Sequence, residues 1–317
     1  MKVLLTGAFG TVGTQTLESL IEQGHQVRCF DIQTRANEKA AGRFKNKAEV
    51  IWGDLRDPDA VARSVEGCDT VIHLSFIIPP ASEKRPQWAQ EINIGGTRNI
   101  LEAMKALSPS SRIIFASSVS LFGPTQHLSP PRKATDPVQP TDHYTHHKAE
   151  CEKLVQESGS EWVILRFCAV PQMRQIDPIM FDVPIENRIE FVHPRDVGLA
   201  VSNAASCEAA GGKILLIGGG QNCQMLYREL IEGLLESSGL GMLPDEAFGT
   251  TPFYTDWMDT EESQRLLRYQ RHSFDDFKRE APSTLGYQYH LARALRPLMR
   301  RWLLSKSPYL KASGGES

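Results

Sequence analysis

The stretch TGAFGTVG at residues 6–13 decides the fold, because three spaced glycines join a short strand to a helix there. Residues 3–5 are apolar and predict the strand, and the apolar periodicity of Thr14–Glu22 predicts the helix. In such a loop the first glycine allows a tight turn, the second lets a pyrophosphate approach the backbone, and the third permits close helix–strand packing. Unpaired N–H groups at the helix N-terminus attract the phosphates. The predicted dinucleotide-binding residues of this loop are Gly7, Phe9, Gly10, Thr11, Val12 and Gly13.

An acid after the second predicted strand strengthens this interpretation. The strand covers Gln26–Phe30, and Asp31 follows it, where a carboxylate accepts hydrogen bonds from the adenosine ribose hydroxyls. This position favours NAD as the cofactor, because a carboxylate repels the 2′-phosphate of NADP. Arg35 lies nearby and could pair with such a phosphate, so NADP stays open as the alternative.

The alternation of strands and helices continues beyond the glycine loop. Further apolar runs of strand length are Glu49–Trp52, Thr70–Leu74, Arg112–Ala116, Trp162–Phe167 and Lys213–Ile217. Helical stretches lie near Ala60–Val65, Trp88–Leu107, Tyr144–Glu157 and Asp196–Ser206. Short apolar strands that alternate with amphipathic helices are typical of βαβ units with a parallel sheet. We therefore predict the α/β fold class, with a Rossmann-type doubly wound parallel sheet.

The periodicity changes after residue 170, which indicates a second, smaller region. Residues 171–190 contain three prolines and predict an excursion over the active-site end of the sheet. A helix is expected over Gln224–Glu236, and capping-box spacings at Asp259 and Ser273 predict the starts of two more helices. The predicted division is 1–170, rejoined by about 191–217, as the dinucleotide-binding domain, and 171–190 with 218–317 as a small, mostly helical substrate-side region.

The composition restricts the class of protein. The 317 residues carry a formal net charge of −3, with 41% hydrophobic and 23% charged residues, as in an ordinary globular chain. This charge argues against nucleic-acid binding, which usually needs a strongly basic surface. The six cysteines form no Cys-x-x-Cys pair, so we expect reduced thiols and no zinc site. No apolar run approaches the roughly 20 residues of a membrane span, and we expect a soluble, cytoplasmic protein.

A tyrosine and a lysine four residues apart are the best candidates for catalysis. Tyr144 and Lys148 project from one face if this segment is helical. A tyrosine near pKa 10 is a poor acid or base at neutral pH, but an adjacent ammonium favours the phenolate and lowers that pKa. The ordinary alternative is a pair of polar residues on a helix surface.

Several segments together resemble one family. They are, besides the glycine loop, WGDL at 52–55, VIHLS at 71–75, NIGGTRN at 93–99, IFASS at 114–118 and DWMDT at 256–260. With the Gly-x-x-Gly-x-x-Gly spacing after Thr6, this set is similar to the extended short-chain dehydrogenase/reductases, the nucleotide-sugar epimerase/dehydratase-like group. The resemblance covers most of residues 1–200 and is uninformative about the substrate.

The resemblance implies roles for individual residues. Ser118, five residues before Gly123, matches the family's catalytic serine and would hydrogen-bond the substrate oxygen near the Tyr144 hydroxyl. Alternatively, a serine at a strand end satisfies only loop backbone. Lys148 would also bind the nicotinamide ribose. The further cofactor contacts implied by the resemblance are Asp54, Leu55, Leu74, Ser75, Asn93, Tyr144, Lys148 and Phe167.

Histidines raise the question of a metal. His146 and His147 have no further ligand at suitable spacing, so we predict polar helix positions and no metal site. His193 matches a structural turn of the family that leads into a helix. Asp196 in that turn is expected to cap the helix or to form an ion pair.

Three departures from the family argue against a nucleotide-sugar substrate. The segment after residue 116, SSV, lacks the Asp-Glu pair of the sugar dehydratases. Ala169 stands where nucleotide-sugar enzymes commonly have asparagine, and residues 171–190 are shorter than their insertion. We expect a smaller or more apolar substrate, and a lid from residues 241–258 is an alternative cover. The predicted pocket lining is Phe167, Val170, Met173 and residues near Leu121 and Phe122, with Asp142 and His143 as candidates for a second acid or base.

The end of the chain combines an apolar stripe with basic residues. Leu291, Leu295, Leu298 and Trp302 recur at helical spacing, although Pro297 interrupts the pattern. Six cations without an acid accompany them: Arg293, Arg296, Arg300, Arg301, Lys306 and Lys311. We predict a helix packed on the domain edge or against a dimer partner. Contact with an anionic membrane surface is the alternative.

These features together predict an NAD(P)-dependent oxidoreductase that transfers hydride at a secondary alcohol or ketone of a small molecule. The alternatives are an NAD-dependent nucleotide-sugar epimerase and a non-catalytic NAD(P)-binding regulator or scaffold. The resemblance also implies a homodimer, formed through the helices near Trp88–Leu107 and Tyr144–Glu157.

Overall fold

The computed structural model describes residues 1–171 and 178–312, and a seven-stranded parallel sheet lies at its centre. The strands in chain order are β1 Lys2–Thr6, β2 Gln26–Asp31, β3 Glu49–Trp52, β4 Thr70–His73, β5 Arg112–Ser118, β6 Glu161–Phe167, β7 Arg188–Glu190, β8 Lys213–Ile217 and β9 Gln224–Leu226. The sheet order is β3-β2-β1-β4-β5-β6-β8, and every pair is parallel. The chain changes direction across the sheet between β1 and β4, where doubly wound folds have their ligand crevice. The predicted α/β class is confirmed.

Helices cover both faces of this sheet. They are α1 Thr11–Glu22, α2 Arg35–Ala41, α3 Pro58–Val65, α4 Ala81–Lys84, α5 Pro86–Gln90, α6 Gly96–Leu107, α7 His143–Glu157, α8 Pro194–Ser206, α9 Tyr227–Ser237, α10 Glu261–Leu267, α11 Phe274–Leu285, α12 Tyr287–Ala294, α13 Arg296–Leu304 and α14 Tyr309–Ala312. α1 packs against α8, and α3 packs against α6. Alternate residues of β1 serve the two faces, with Val3 and Leu5 in one apolar cluster and Leu4 in the other.

A third apolar cluster lies outside the sheet, beyond the carboxyl end of β6. The short antiparallel pair of β7 with β9 leads into α9, which packs against α11. Phe191 stands in the middle of this cluster, with its ring centroid 5.1 Å from that of Phe274 and 5.3 Å from that of Phe277. The substrate-side region therefore has a core of its own next to the crevice.

Some local expectations differ from the structure. The helix expected over Gln224–Glu236 begins only at Tyr227, because residues 224–226 pair with β7. The long helix expected over Trp88–Leu107 is interrupted by a π-helical turn, Glu91–Gly95, between α5 and α6. Propensity and periodicity predict neither feature, since one depends on a distant strand and the other on a single extra residue per turn.

The two expected capping boxes have different outcomes. At Ser273 the box is confirmed: its hydroxyl accepts from the Asp276 amide, and Asp276 accepts in return from the Ser273 amide at 2.8 Å. At Asp259 the prediction is wrong, because α10 starts one residue later, after Thr260. The Asp259 carboxylate instead accepts from the Glu261 amide at 3.2 Å.

The helical tail packs on the domain edge, but through residues other than the predicted stripe. Leu291, Leu295, Leu298 and Trp302 are 52%, 41%, 67% and 53% exposed. The inward face carries the buried Ala292 and Leu303, and the guanidinium groups of Arg296 and Arg300 donate to main-chain oxygens of residues 240–242. Among the described residues, no helix is long and apolar enough to cross a membrane.

Candidate active site

The glycine loop has the geometry that its sequence predicts. Gly7 has φ +66°, a region that L side chains rarely adopt, and its amide donates to the Phe30 carbonyl at 3.0 Å. A Cβ on Gly13 would lie 2.0 Å from the Gly7 oxygen, so only glycine lets α1 approach the loop this closely. A Cβ on Gly10 would meet only ordinary contact, at 3.5 Å from the same oxygen. Within the protein, the loop therefore requires glycine at 13 far more than at 10.

The N-terminus of α1 is prepared for an anion. Gly10 is the N-cap residue, and its lack of a side chain leaves the first turn without a side-chain acceptor. The first turn also contains no acidic residue. Free amide groups and the positive end of the helix dipole therefore face the mouth of the loop, as phosphate binding requires.

Asp31 lies at the end of β2, directly beside this loop. Its carboxylate accepts from the Phe9 amide at 3.0 Å, from the Ile32 amide at 2.9 Å and from the Asn37 side chain at 3.1 Å. These donors fix its orientation, and partial burial raises its pKa. Arg35 is exposed at the start of α2 and has no ion-pair partner within the described ranges. The structure thus places a fixed carboxylate, and a free arginine four residues away, near the loop.

Asp54 and Leu55 follow β3 at the same edge. The Asp54 carboxylate pairs with Arg56 at 2.7 Å, and this hydrogen bond lowers its pKa. Leu55 is buried under α6, where a Cβ on Gly96 would lie 2.7 Å from the Leu55 Cβ. Asp54 therefore has an accessible but already paired side chain, whereas Leu55 packs the turn onto the domain.

Leu74 and Ser75 follow β4 and face the glycine loop. The Ser75 amide donates to the Thr6 hydroxyl at 3.3 Å, and that hydroxyl also bonds Nδ1 of His73 at 2.8 Å. The other ring nitrogen of His73 lies 3.1 Å from the Thr97 hydroxyl, and burial lowers the His73 pKa to about 3. A neutral histidine thus ties β1, β4 and α6 together, a role that sequence reasoning missed.

The Asn93 side chain binds the backbone of the loop after β4, so its amide is not free. Its side-chain oxygen accepts from the Ile77 amide at 2.7 Å, and its side-chain nitrogen donates to the Ile77 carbonyl at 3.0 Å. The same nitrogen lies 3.3 Å from Nδ1 of His147, which is buried. The prediction of a polar helix position therefore fits His146, which is exposed, and is wrong for His147.

Ser118, Tyr144 and Lys148 come together at the carboxyl end of β5. Ser118 lies close enough to the Tyr144 hydroxyl to favour its ionised form, but burial is the larger effect and raises the pKa of Tyr144 to about 12, against the lowering expected from an adjacent ammonium. Lys148 is buried, donates to the Ala116 carbonyl at 2.6 Å and lies 5.8 Å from the Tyr144 ring centroid. Burial lowers its pKa to about 7. The Ser118 oxygen also accepts from the Ser120 amide at 3.2 Å. The alternative role of this serine, to satisfy the backbone of the loop, is therefore present as well.

The N-terminus of α7 orients Tyr144. Asp142 is the N-cap residue, and its carboxylate accepts from the Thr145 amide at 2.7 Å and from the Thr145 hydroxyl at 2.6 Å. Glu83 accepts from the amides of His143 and Tyr144 at 3.2 and 3.1 Å. Asp142 therefore functions as a cap, and no local sequence pattern pointed to Glu83.

An apolar cavity of about 710 Å³ begins at Ser118. Its walls come from residues 76–81, 118–120 and 167–171, from α9, and from side chains near residues 180 and 254. Phe167 and Val170 line it as predicted, and so do Val119 and Ser120 next to Leu121 and Phe122, which are themselves buried in the core. Met173 lies outside the described residues. Phe253 and Thr255 also line the cavity, in agreement with the alternative cover from residues 241–258.

His193, Asp196 and His272 offer ligand atoms within 4.8 Å of one another. Asp196 already accepts from the amides of Arg271 and His272 at 2.9 Å and bonds Nδ1 of His272 at 2.5 Å. The His193 ring accepts from the Arg195 amide and is the N-cap of α8. Asp196 therefore accepts hydrogen bonds from residues 271 and 272, and His193 rather than Asp196 caps the helix in this turn.

A model of the NAD dependent epimerase/dehydratase family matches residues 3–171. The chain belongs to this family. The residues present also fit NAD: an uncapped helix N-terminus behind Gly10, and a fixed carboxylate at Asp31. The family is NAD-dependent.

Named relatives cover the same part of the chain. It is 30% identical over 174 residues to UDP-glucose 4-epimerase of Lacticaseibacillus casei, which is 53% of this chain and 51% of that one. It is 31% identical over 164 residues to 3 beta-hydroxysteroid dehydrogenase/Delta 5→4-isomerase of Mycobacterium tuberculosis, 49% of this chain and 42% of that one. The chain spans about half the length of the curated relatives it matches.

A solved structure resembles almost the whole chain. UDP-glucuronic acid 4-epimerase from Bacillus cereus, in complex with UDP-glucuronic acid and NAD, superposes with a TM-score of 0.75. The match covers 92% of this chain and 100% of that one at 21% identity. At this identity the similarity shows the fold, including its helical C-terminal region.

Proposed function

We propose that this protein is an NAD-dependent oxidoreductase that transfers hydride at a secondary alcohol or ketone of a small molecule, with Tyr144 as the acid/base. The observation that carries the proposal is the placement of Ser118 and Tyr144 beside the buried Lys148, at the mouth of an apolar cavity. If Tyr144 and Lys148 were only two polar residues on a helix surface, the lysine would be exposed.

Each of the three residues has a distinct function in this proposal. Ser118 donates a hydrogen bond that holds the substrate oxygen against the Tyr144 hydroxyl. In the reducing direction, that hydroxyl gives its proton to the carbonyl oxygen while the carbonyl carbon receives the hydride. Bound NAD supplies the chemistry of accepting or releasing that hydride. Lys148 stabilises the phenolate left on Tyr144, because a cation nearby lowers a phenol pKa.

The proposed cofactor-binding surface runs along the carboxyl ends of β1 to β6. The loop residues hold the pyrophosphate, Asp31 accepts from the adenosine ribose, and the exposed Arg35 lies four residues further on. The remaining residues line the rest of the path: Asp54, Leu55, Leu74, Ser75, Asn93, Tyr144, Lys148 and Phe167. Asn93 contributes by holding the backbone of Ile77 rather than by direct contact.

Replacement of Tyr144 by Phe tests the function. We expect turnover of a ketone with NADH to fall by about 10²–10⁴-fold, because proton transfer is lost, while NAD affinity stays within about twofold. Tyr287→Phe is the matched control, since Tyr287 is 77% exposed on α12, and it should leave turnover unchanged. Retained turnover in Tyr144→Phe would contradict the proposal. So would a wild-type protein that binds NAD yet reduces no ketone of a broad panel, the behaviour of a non-catalytic regulator.

An NAD-dependent nucleotide-sugar epimerase is the second candidate, favoured by the relative named UDP-glucose 4-epimerase. Such an enzyme oxidises and re-reduces one carbon, so it retains its cofactor between turnovers. Purified protein that carries NAD and interconverts sugar nucleotides without added cofactor would establish it.

We also propose that the protein is cytoplasmic, that it forms a homodimer and that its C-terminal tail contacts anionic lipid. All six cysteines are free thiols, which suits a reducing compartment. The outer face of α6 and α7 is charged, with Arg98 paired to Glu150 at 2.7 Å, and would meet its symmetry mate through such pairs. The tail exposes an apolar stripe beside cations with no acid between residues 281 and 315, the pattern of an interfacial helix.

The double variant Leu298→Ser/Trp302→Ser tests the tail. Sedimentation with vesicles that contain anionic lipid should fall by at least about threefold, since two exposed anchors are lost. Light scattering should give the same dimer mass as the wild type. If the variant is monomeric and the wild type does not sediment with the vesicles, the stripe belongs to the dimer interface instead.

A further inference from the structure

The cavity next to Ser118 is far less polar than the surface around it. It extends from the loop after β4, past the ends of β5 and β6, to the buried face of α9. Its volume, about 710 Å³, lies within the range of sites that enclose a whole small molecule. Most of its wall is hydrocarbon, contributed by residues such as Phe76, Leu230, Ile231, Leu234 and Phe277.

None of the described residues that line this cavity is charged. Arg188, the neighbour of the lining residue Ile189, is held outside by Asp256 at 2.6 Å. Lys148 lies behind Phe76, with its nitrogen 3.4 Å from that ring centroid, and donates to the Ala116 carbonyl. A diphosphate placed here would lose its hydration without gaining a cation from the described lining residues, which is unfavourable.

The hydroxyl groups in the far part of the cavity are already used. They donate to main-chain oxygens: Tyr227 to Met180 at 2.8 Å, Thr255 to Arg188 at 2.9 Å, and Ser237 and Ser238 to Leu234 at 3.1 and 2.7 Å. The polar groups at the opposite end are Ser118 and Ser120, where Ser118 contacts Tyr144. The cavity is therefore polar at the proposed reacting end and offers little hydrogen bonding elsewhere.

We propose that this cavity binds the apolar body of an uncharged secondary alcohol or ketone, with the reacting oxygen at Ser118 and the hydrocarbon extending to α9. The proposal rests on the oxidoreductase function proposed above and names its substrate class. It separates this chain from relatives whose names specify a nucleotide sugar, because the phosphates of such a ligand have no partner among the described lining residues.

A series of methyl ketones from butanone to dodecanone tests the proposal in the wild-type protein with NADH. In each reduction the carbonyl carbon gains the hydride of NADH and the oxygen gains a proton, so oxidation of NADH reports turnover. We expect KM to fall about threefold to fourfold for each added methylene until the chain fills the cavity. A flat series would overturn the proposal, and so would UDP-glucose binding more tightly than the longest ketone.

Binding to Tyr144→Phe in the presence of NAD separates this inference from the function on which it rests. If the ketones bind this variant with the expected dependence on length, but the wild type reduces none of them, the cavity inference stands and the oxidoreductase proposal fails. If the wild type reduces short and long ketones with equal KM, the oxidoreductase proposal stands and the cavity inference fails.

A charged residue in the wall provides a second test. Leu234 is partly buried on α9 and lines the cavity. Leu234→Glu should raise KM at least tenfold for the long ketones and leave butanone nearly unaffected. Leu291→Glu, the same change at an exposed leucine outside the cavity, should alter neither. If Leu234→Glu does not fold, Leu234→Ala should move the end of the length dependence to a longer ketone. An unchanged length dependence in a folded variant would contradict the placement of the substrate.

Discussion

The proposed cofactor-binding edge of the sheet consists of short contiguous turns at residues 6–13, 31, 54–55 and 74–75, whereas the cavity beside it is assembled from side chains between residues 76 and 277. At the first, main-chain groups and glycines define the geometry, and a Cβ at Gly13 has no room. At the second, hydrocarbon side chains from five or more segments define only a shape and a polarity. A ligand held by backbone tolerates little sequence change, while one held by hydrocarbon tolerates volume-conserving change.

This difference explains how one family takes substrates of unlike chemistry with a common cofactor. The family model matches residues 3–171, and relatives that match about half of this chain are named for a nucleotide sugar and for a hydroxysteroid. The range matched by the family model contains the glycine loop, Ser118, Tyr144 and Lys148. The cavity takes most of its wall from residues after 167, largely outside that range.

The largest expected effect on this comparison comes from two alanine substitutions in the glycine loop. Gly13→Ala should destabilise the fold by about 3 kcal/mol or more, because its Cβ would overlap the Gly7 carbonyl. Gly10→Ala should cost less than about 1 kcal/mol, because its Cβ meets only ordinary contact and alanine is a slightly poorer N-cap than glycine. It should nevertheless weaken NAD binding at least about tenfold if phosphates approach the backbone there. Thermal unfolding and calorimetric NAD titration measure the two effects.

Equal stability losses in the two variants would mean that the loop is not held by the Gly13 contact. Unchanged NAD affinity in a folded Gly10→Ala protein would remove the loop from the cofactor site. Either result would contradict the view that main-chain groups define the edge of the sheet whereas side chains define the cavity.

The fold was predictable because its signals are local. Each buried parallel strand is an apolar run of four to seven residues, and each run lies between helical segments, so the alternation predicts a parallel sheet, although it does not determine the strand order. The errors arise where a distant partner decides. Residues 224–226 form a strand only because β7 lies beside them, and Asp259 is displaced from the cap because Thr260 has that place.

The candidate site divides in the same way. Tyr144, Lys148 and Ser118 were found from spacing and family resemblance, and the structure brings them together. Glu83, which accepts from the first amides of α7, lies 61 residues before Tyr144 and carries no local signal. The cavity walls had even less signal, since Leu230 and Ile231 have the periodicity of any core helix.

Lys148 lies between the proposed cofactor-binding edge and the cavity. Its replacement is expected to change the free energy of unfolding less than Gly13→Ala does. Burial lowers its pKa from 10.5 to about 7, so between these values the unfolded chain holds more protons at this site than the folded one. The free energy of unfolding therefore rises with pH across that window, and the full cost of the buried charge applies below about pH 7. Lys148→Met removes this cost. We expect the variant to be more stable than the wild type by on the order of 2 kcal/mol at pH 7, after the loss of the Ala116 hydrogen bond is subtracted.

The gain should shrink towards pH 10, where the lysine is neutral in the folded state and increasingly neutral in the unfolded one. Turnover should fall sharply in the same variant, because the phenolate of Tyr144 loses its cation. Lys153→Met is the matched control: this lysine is exposed on the same helix, 3.9 Å from Glu157, and its loss should change stability by less than about 0.5 kcal/mol at either pH. Thermal denaturation of both variants from pH 6 to pH 10 measures the difference. A Lys148→Met protein that is less stable than the wild type at pH 7 would show that the ammonium is compensated by its surroundings. Lys148 would then stabilise the fold, and its burial between the proposed cofactor-binding edge and the cavity would not lower the free energy of unfolding.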